Sequence, residues 1–322
     1  MPLRVGTMIV ALAGGVGGAK MAEGLMRALP PSELTVIVNT ADDFSLYGLQ
    51  ISPDIDTVLY TLGGIANPAT GWGIAGDTRN VLDAMPRLGE QPWFILGDQD
   101  LATHILRTSR RQQGEALSSI TADFARHLGI PATILPVTDD PIATLVETPD
   151  GTLAFQDYFV RRQQRDEVTG VRFNGIEAAR PAPGVLDAIR QADTIVLCPS
   201  NPIVSIGPIL QVPGIRDALL LTDAVRIAIS PIIGGKALKG PADRMLSTLG
   251  HESSALGVAR IYLEIIDAFI FDQQDAALLP EMSQIWPRSY TRQTIMGDPG
   301  DRARFGRDVL EIAEAVRAEG SA

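Results

Sequence analysis

Short apolar runs recur along the chain and alternate with longer stretches whose apolar positions fall three and four apart. Met8–Leu12 and Leu34–Val38 read as buried strands. Lys20–Leu29, between them, reads as a helix with Met21, Leu25, Met26 and Leu29 on one face. Ile55–Leu62 fits a helix and Trp93–Leu96 a strand. Leu117, Ile120, Phe124 and Leu128 mark a further helix, and Ala132–Val137 the strand after it. Thr194–Cys198, Ile227–Ile229 and Phe269–Phe271 are later strands; Phe305, Val309, Ile312 and Val316 stripe a final helix. This alternation predicts an α/β fold, a Rossmann-like and mostly parallel sheet with helices on both faces. Residues 141–183 break the pattern with shorter alternating runs (Thr144–Glu147, Leu153–Val160) and the charged stretch Arg161–Glu167. They are expected to form a β-rich insertion or small second domain in a core made of residues 1–140 and 184–322. The tail Glu319–Ala322 is expected to fray.

In an open parallel sheet, ligands bind beyond the carboxyl ends of the strands. Polar or glycine-rich segments follow five of the predicted strands: Gly14-Gly15-Val16-Gly17-Gly18-Ala19-Lys20, Asn39-Thr40-Ala41-Asp42-Asp43, Gly97-Asp98-Gln99-Asp100, Pro199-Ser200-Asn201-Pro202 and Ser230–Lys236. Parallel strands would gather all five at one edge. The glycine turn lets backbone approach a phosphate at a helix N-terminus. It fits neither common fingerprint: Met21 follows Lys20 where a P-loop needs Ser or Thr, and Lys20 stands where a dinucleotide turn needs its third glycine. A tight turn without a ligand is the plainer alternative. Asp42 and Asp43 could hold a ribose, or Asp42 and Asp56 could share a hard cation, since Mg²⁺ takes one or two carboxylates plus phosphate oxygens. Asp54 follows Pro53 at a helix start, where it could act only as a cap. His104 could bind phosphate, orient a carboxylate or serve as a base, or simply make a structural hydrogen bond. Lys236 and Lys239, among glycines, could clamp a phosphate or lie solvated.

Composition narrows the partners. With 322 residues, 45% hydrophobic and 20% charged, the chain can bury a sizeable core. Its formal net charge of -11 argues against a long nucleic acid but not against a small phosphorylated ligand held by local amides, lysines or a metal. The single cysteine, Cys198, rules out an intrachain disulfide and weakly suggests a reducing compartment. No apolar run approaches the roughly 18 residues of a membrane span, and Met1–Thr7 does not read as part of a signal peptide, so a cytoplasmic location is expected.

Several stretches, in order, resemble the 2-phospho-L-lactate transferase family, which includes the phosphoenolpyruvyl transferases of coenzyme F420 synthesis. They are Ala13–Lys20 (AGGVGGAK), Val38–Phe44 (VNTADDF), Ile51–Leu62 (ISPDIDTVLYTL), Gly71–Thr78 (GWGIAGDT), Leu96–Arg107 (LGDQDLATHILR), Phe155–Val160 (FQDYFV), Pro199–Leu210 (PSNPIVSIGPIL) and Ser230–Pro241 (SPIIGGKALKGP). The resemblance implies transfer of a phosphoenolpyruvyl or 2-phospho-L-lactyl group from a GDP-type donor to the terminal ribityl hydroxyl of the deazaflavin Fo, releasing GMP. It also implies Mg²⁺ and a homodimer. On that footing Asp42 and Asp56 are the metal candidates, and Asp56 or Asp98 accepts the hydroxyl proton. Substrate candidates are Gly14, Gly15, Gly17, Gly18, Lys20, Asn39, Trp72, Asp100, His104, Ser200, Asn201, Ser205 and Lys236. Gln99 stands where other members often carry Arg. Two competing readings are a nicotinamide-dependent oxidoreductase and a regulatory protein that binds a nucleotide sugar.

Overall fold

The computed structural model describes residues 7–286 and 288–320. Seven strands form the central sheet: β1 Ile9–Ala13, β2 Leu34–Val38, β3 Thr133–Pro136, β4 Thr194–Leu197, β5 Val225–Ile229, β6 Ala268–Asp272 and β7 Ser289–Arg292. Their spatial order is β7-β6-β5-β4-β1-β2-β3, and every neighbouring pair is parallel. The strands β1, β2, β4 and β6 are buried at every residue, as continuous apolar runs covered on both faces should be. Side-chain alternation along β1 feeds two cores: Ile9, Ala11 and Ala13 enter one, Val10 and Leu12 the other.

Four helices position the features that matter below: α1 Gly15–Ala28, α2 Pro53–Leu62, α3 Asp98–Gln112 and α4 Pro299–Gly320. The stripe predicted for the last helix packs where expected: Phe305, Val309 and Ile312 join Met21 and Leu25 of α1 in one core. The crossing is close enough to need glycine on both sides. A Cβ on Gly24 would strike the Arg302 carbonyl, and one on Gly306 would strike the Gly24 carbonyl. No helix among the described residues is long and apolar enough to cross a membrane.

Three sequence expectations change. Trp93–Leu96 pairs with no strand. Its aromatic side chains instead cluster with Phe44, ring centroids 6.3 Å and 5.0 Å from Trp93 and Phe94, so local packing replaces a ladder. The edge strand β7 went unforeseen because its Ser-Tyr-Thr-Arg sequence has no apolar run and is only half-buried. In the 141–183 segment, Ala143–Thr148, Gly151–Ala154 and Gly170–Asn174 form a three-stranded antiparallel sheet. The run Leu153–Val160, though, leaves strand at Ala154 and forms a π-helical turn over Asp157–Arg161. The helix α4 carries Glu319 to its end at Gly320, while Met1–Gly6, Ser321 and Ala322 lie outside the described residues.

Helix propensity and packing disagree at Gly24, which allows a clean test. Propensity alone favours Ala over Gly by about 1 kcal/mol in a helix interior. The collision with α4 should outweigh it, so Gly24→Ala is expected to lower stability by about 1–3 kcal/mol in urea unfolding.

Candidate functional site

The strand order turns around between β1 and β4, and the loops that follow these two strands face each other there. A Cβ on Gly17 would strike the Pro199 carbonyl, so only glycine lets the turn come so near. Ser200 fastens the two loops: its hydroxyl donates to the Gly14 carbonyl (2.7 Å) and accepts from the Gly14 N–H (3.3 Å). Gly14 is the N-cap of α1 and has no side chain to cap the first turn; Asp54 takes the Gly15 N–H, and the first-turn amides beyond it are left able to receive an anion. Between the loops opens a cavity of about 720 Å³.

The aspartates on one side of this cavity are unusual. Asp54 accepts hydrogen bonds from the Gly15 N–H (2.8 Å) and the Asn39 side-chain amide (2.9 Å). Asp42 accepts one from the Thr144 hydroxyl (3.1 Å). Burial pushes both carboxyls above the usual range, and the charge of Asp54 raises Asp42 further. Among the described residues neither forms an ion pair, and the largest influences on each include no cation. Asp43, half-buried beside them, is pushed up to about 8 by desolvation of its carboxyl, despite a Ser52 hydrogen bond at 2.6 Å and the charge of Arg107.

Asp56 belongs to a different group. Both its oxygens face the buried Arg107 guanidinium, Oδ2 at 3.1 Å from Nη1 and Oδ1 against Nη2. His104 Nδ1 lies 3.6 Å from Asp56 Oδ2, and His104 Nε2 lies 3.3 Å from Asp100 Oδ1 without the alignment of a hydrogen bond. The Tyr60 hydroxyl donates to Asp100 at 2.6 Å. Asp56, Asp100 and His104 could by spacing surround a cation. A cation there would face the Arg107 guanidinium and compete with it for Asp56, so the donor set fits poorly. Asp42 with Asp54 is the better pair, because both are buried carboxylates without an ion-pair partner among the described residues.

The expected site residues divide accordingly. Gly14, Gly15, Gly17, Lys20, Asp42, Asp56, Trp72, Asp100, His104, Ser200, Asn201 and Ser205 all line the cavity. Gly18 backs onto Ser200, its Cβ position 2.8 Å from Oγ, and Asn39 stands behind Asp54. Asp98 does not line it. Its carboxylate accepts from the Thr78 hydroxyl, from the Asn80 backbone and side chain and from the Val81 N–H; these hold it down at about 2 and tie it to the start of a short helix. A proton acceptor at Asp98 therefore has no support here. Lys236 is exposed on the Ile232–Ala237 hairpin, and Lys239 lines the cavity instead. Sequence reading also missed Arg107, although Asp100, His104 and Arg107 fall on one face of α3 at spacings of four and three. Much of the remaining lining is apolar. Trp72, Phe94, Leu238 and the insertion's stacked Phe155 and Phe159, with ring centroids 5.5 Å apart, form it.

Known proteins share this architecture. The family profile of 2-phospho-L-lactate transferase CofD matches residues 9–298. A phosphoenolpyruvate transferase of Streptomyces griseus subsp. griseus is 43% identical over 316 residues, covering 96% of this chain and 99% of that protein. A 2-phospho-L-lactate transferase of Methanosarcina acetivorans is 43% identical over 308 residues, covering 96% of this chain and 100% of that one. The crystal structure of a UPF0052-family protein from Bacillus halodurans superposes with a TM-score of 0.63 over 94% of this chain and 98% of that one. At 16% identity that likeness concerns the fold alone.

Two outcomes follow from these charges. The folded-state value of Asp43 lies at about 8 against an ordinary 3.8. Its contribution is therefore fully present below the ordinary value and lost as pH rises through the raised one. In chelator, the thermal midpoint should fall between pH 5 and pH 8, and Asp43→Asn should flatten that slope; an unchanged slope would remove Asp43 as its source. Asp56→Ala should leave the Arg107 guanidinium buried and unpaired, lowering stability by about 3–5 kcal/mol in denaturant unfolding.

Proposed function

The chain belongs to the 2-phospho-L-lactate transferase family, and from that premise we propose that it moves a phosphoenolpyruvyl or 2-phospho-L-lactyl group from a GDP-type donor to the terminal ribityl hydroxyl of the deazaflavin Fo, with release of GMP, in coenzyme F420 biosynthesis. The observation that carries this reading is one cavity that joins a glycine-rich helix start, two buried carboxylates without an ion-pair partner among the described residues and apolar aromatic lining. Each feature answers one part of such a reaction.

The first-turn amides of α1 beyond Gly15 suit the donor's diphosphate, and Ser200, Asn201 and Ser205 face it from the opposing loop. Asp42 and Asp54 would hold Mg²⁺, which supplies neutralisation of the diphosphate charge when bound. Trp72, Phe94, Phe155 and Phe159 suit a flat, largely apolar ring system such as a deazaflavin. The acceptor hydroxyl forms a bond to the donor's β-phosphorus while the bond to the GMP oxygen breaks, and the hydroxyl proton leaves. Such a transfer depends chiefly on alignment and on charge placed in advance. Asp100 and His104, on the cavity wall and steadied by Tyr60 and Arg107, are the side chains best placed to orient the acceptor. The protein acts in this reading as a cytoplasmic homodimer.

Incubation of the protein with Fo, Mg²⁺ and each guanylylated three-carbon phospho acid should give a product with the mass of the joined phosphodiester, together with GMP. Absence of product from every donor would sink the assignment. Chelation should stop turnover and Mg²⁺ restore it. Asp54→Asn, which keeps size but removes charge, should cost at least about tenfold in kcat/KM, equivalent to about 1.4 kcal/mol.

A further inference from the structure

A second charged feature of the cavity is not explained by diphosphate, metal or ring system. Lys20 lies four residues after Val16, on the same side of α1. Its half-buried ammonium spends one N–H on the Met296 carbonyl at 2.8 Å. Lys239, at the rim, spends one on the Thr70 carbonyl at 2.5 Å. The two lysines arrive together: a Cβ on Gly71 would lie 3.0 Å from the Lys239 ammonium and 2.9 Å from Val16 Cγ1. Lys239 therefore stands against the face of α1 that carries Lys20.

Neither lysine has an ion-pair partner among the described residues. Glu23, the acid whose charge acts on Lys20, is already engaged by Arg27 and Arg302. Burial and the like charges of Arg302 and Lys239 hold Lys20 below its ordinary value, against which Glu23 gives only partial relief. In a chain of net charge -11, such a concentration of uncompensated positive charge inside one cavity calls for an anion. An ammonium has three donors, so each lysine keeps two for a ligand.

We propose that Lys20 and Lys239 form a second anion seat beside the glycine turn, and that it receives the carboxylate of the donor's three-carbon acid. The assignment rests on the transferase reading above. Two anion seats side by side suit a ligand with two anionic groups joined by a short carbon unit. The amides at the start of α1 take the diphosphate, and the lysines take the carboxylate that every candidate donor carries on its acid portion. The shared chemistry is an oxyanion against paired ammonium groups. The donor's own β-phosphate is the other possible source, and the test separates the two.

Three ligands measured by calorimetry in the presence of Mg²⁺ decide the matter: GDP, enolpyruvyl-diphosphoguanosine, and the methyl ester of GDP, which has the diphosphate linkage but no carboxylate. The native protein should bind the enolpyruvyl compound about tenfold or more tightly than the methyl ester, as a charge-assisted contact implies. Lys239→Met and Lys20→Met should each shrink that preference to about twofold or less while leaving affinity for GDP nearly unchanged. Thermal unfolding of each variant checks that the fold survives; Lys239 is exposed, so its variant stands even if Lys20→Met does not fold. Equal binding of the two esters by the native protein would overturn the seat and leave the transferase reading intact. Variants that lose GDP and the enolpyruvyl compound in equal measure would assign the lysines to phosphate and overturn the carboxylate. A native protein that binds none of the three would overturn the transferase reading and the seat with it.

Discussion

One carboxylate joins the ends of three elements. Asp54 sits in the first turn of α2, accepts the Gly15 N–H at the start of α1 and accepts the Asn39 amide at the end of β2. Asn39 in turn accepts the Ala41 N–H, which fixes the path of the chain into Asp42 and Asp43. Moving Asp54 would move the glycine turn and the acidic loop together. The helix α2 favours a negative charge in its first turn, and two hydrogen bonds share the load, yet burial still raises the carboxyl. The fold therefore keeps an electrostatically costly group at its most connected point. A cation bound there, as proposed, would stabilise such a group, and the cost without it is the cost of a pre-organised site.

Charge within the cavity is segregated rather than mixed. Asp42 and Asp54 gather about the ends of β2 and α2, while Lys20 and Lys239 gather along α1 and its neighbouring loops. Between the two lie backbone amides and hydroxyls. This explains how a strongly acidic chain can suit a polyanionic ligand: the local field, not the net charge, sets the fit. The long α1–α4 contact serves the same end. Arg302 reaches from α4 to Glu23, and Arg304 holds the Gln293 carbonyl at 2.9 Å, so α4 braces the 293–297 segment to which Lys20 is tied.

Most of the sheet was legible because buried parallel strands announce themselves as apolar runs. The edge strand β7 and the aromatic loop at Trp93 escaped for opposite reasons, one lacking that signal and one having it without a ladder. At the site, glycine and hydroxyl positions were legible because their spacing reports backbone geometry directly. Carboxylate roles were not, because they depend on neighbours distant in sequence. Asp98 and Asp100 show this well. Two residues apart on a helix, they point about 200° apart. One is taken up by the Thr78–Val81 segment and the other turns to Tyr60 and the cavity. Asp56 was read as a metal ligand from its nearness to Asp42 in sequence, and only the buried Arg107 explains why its charge is already spent.

The antiparallel insertion is more than an appendage to the sheet. Its Val146, Phe155 and Tyr158 pack with Val204 and Met245 of the surrounding fold, and Thr144 reaches Asp42. The same segment turns Phe155 and Phe159 into the cavity wall. An enzyme that moves a substituted phosphoryl group from a diphosphate donor to an alcohol, as proposed, must disfavour water, the smaller and more abundant nucleophile. A polar cleft cannot do this by charge alone. Apolar side chains in the same cavity can, because they leave water few partners. The insertion thus touches Asp42 and supplies part of the apolar lining, so that one piece of chain bears on both.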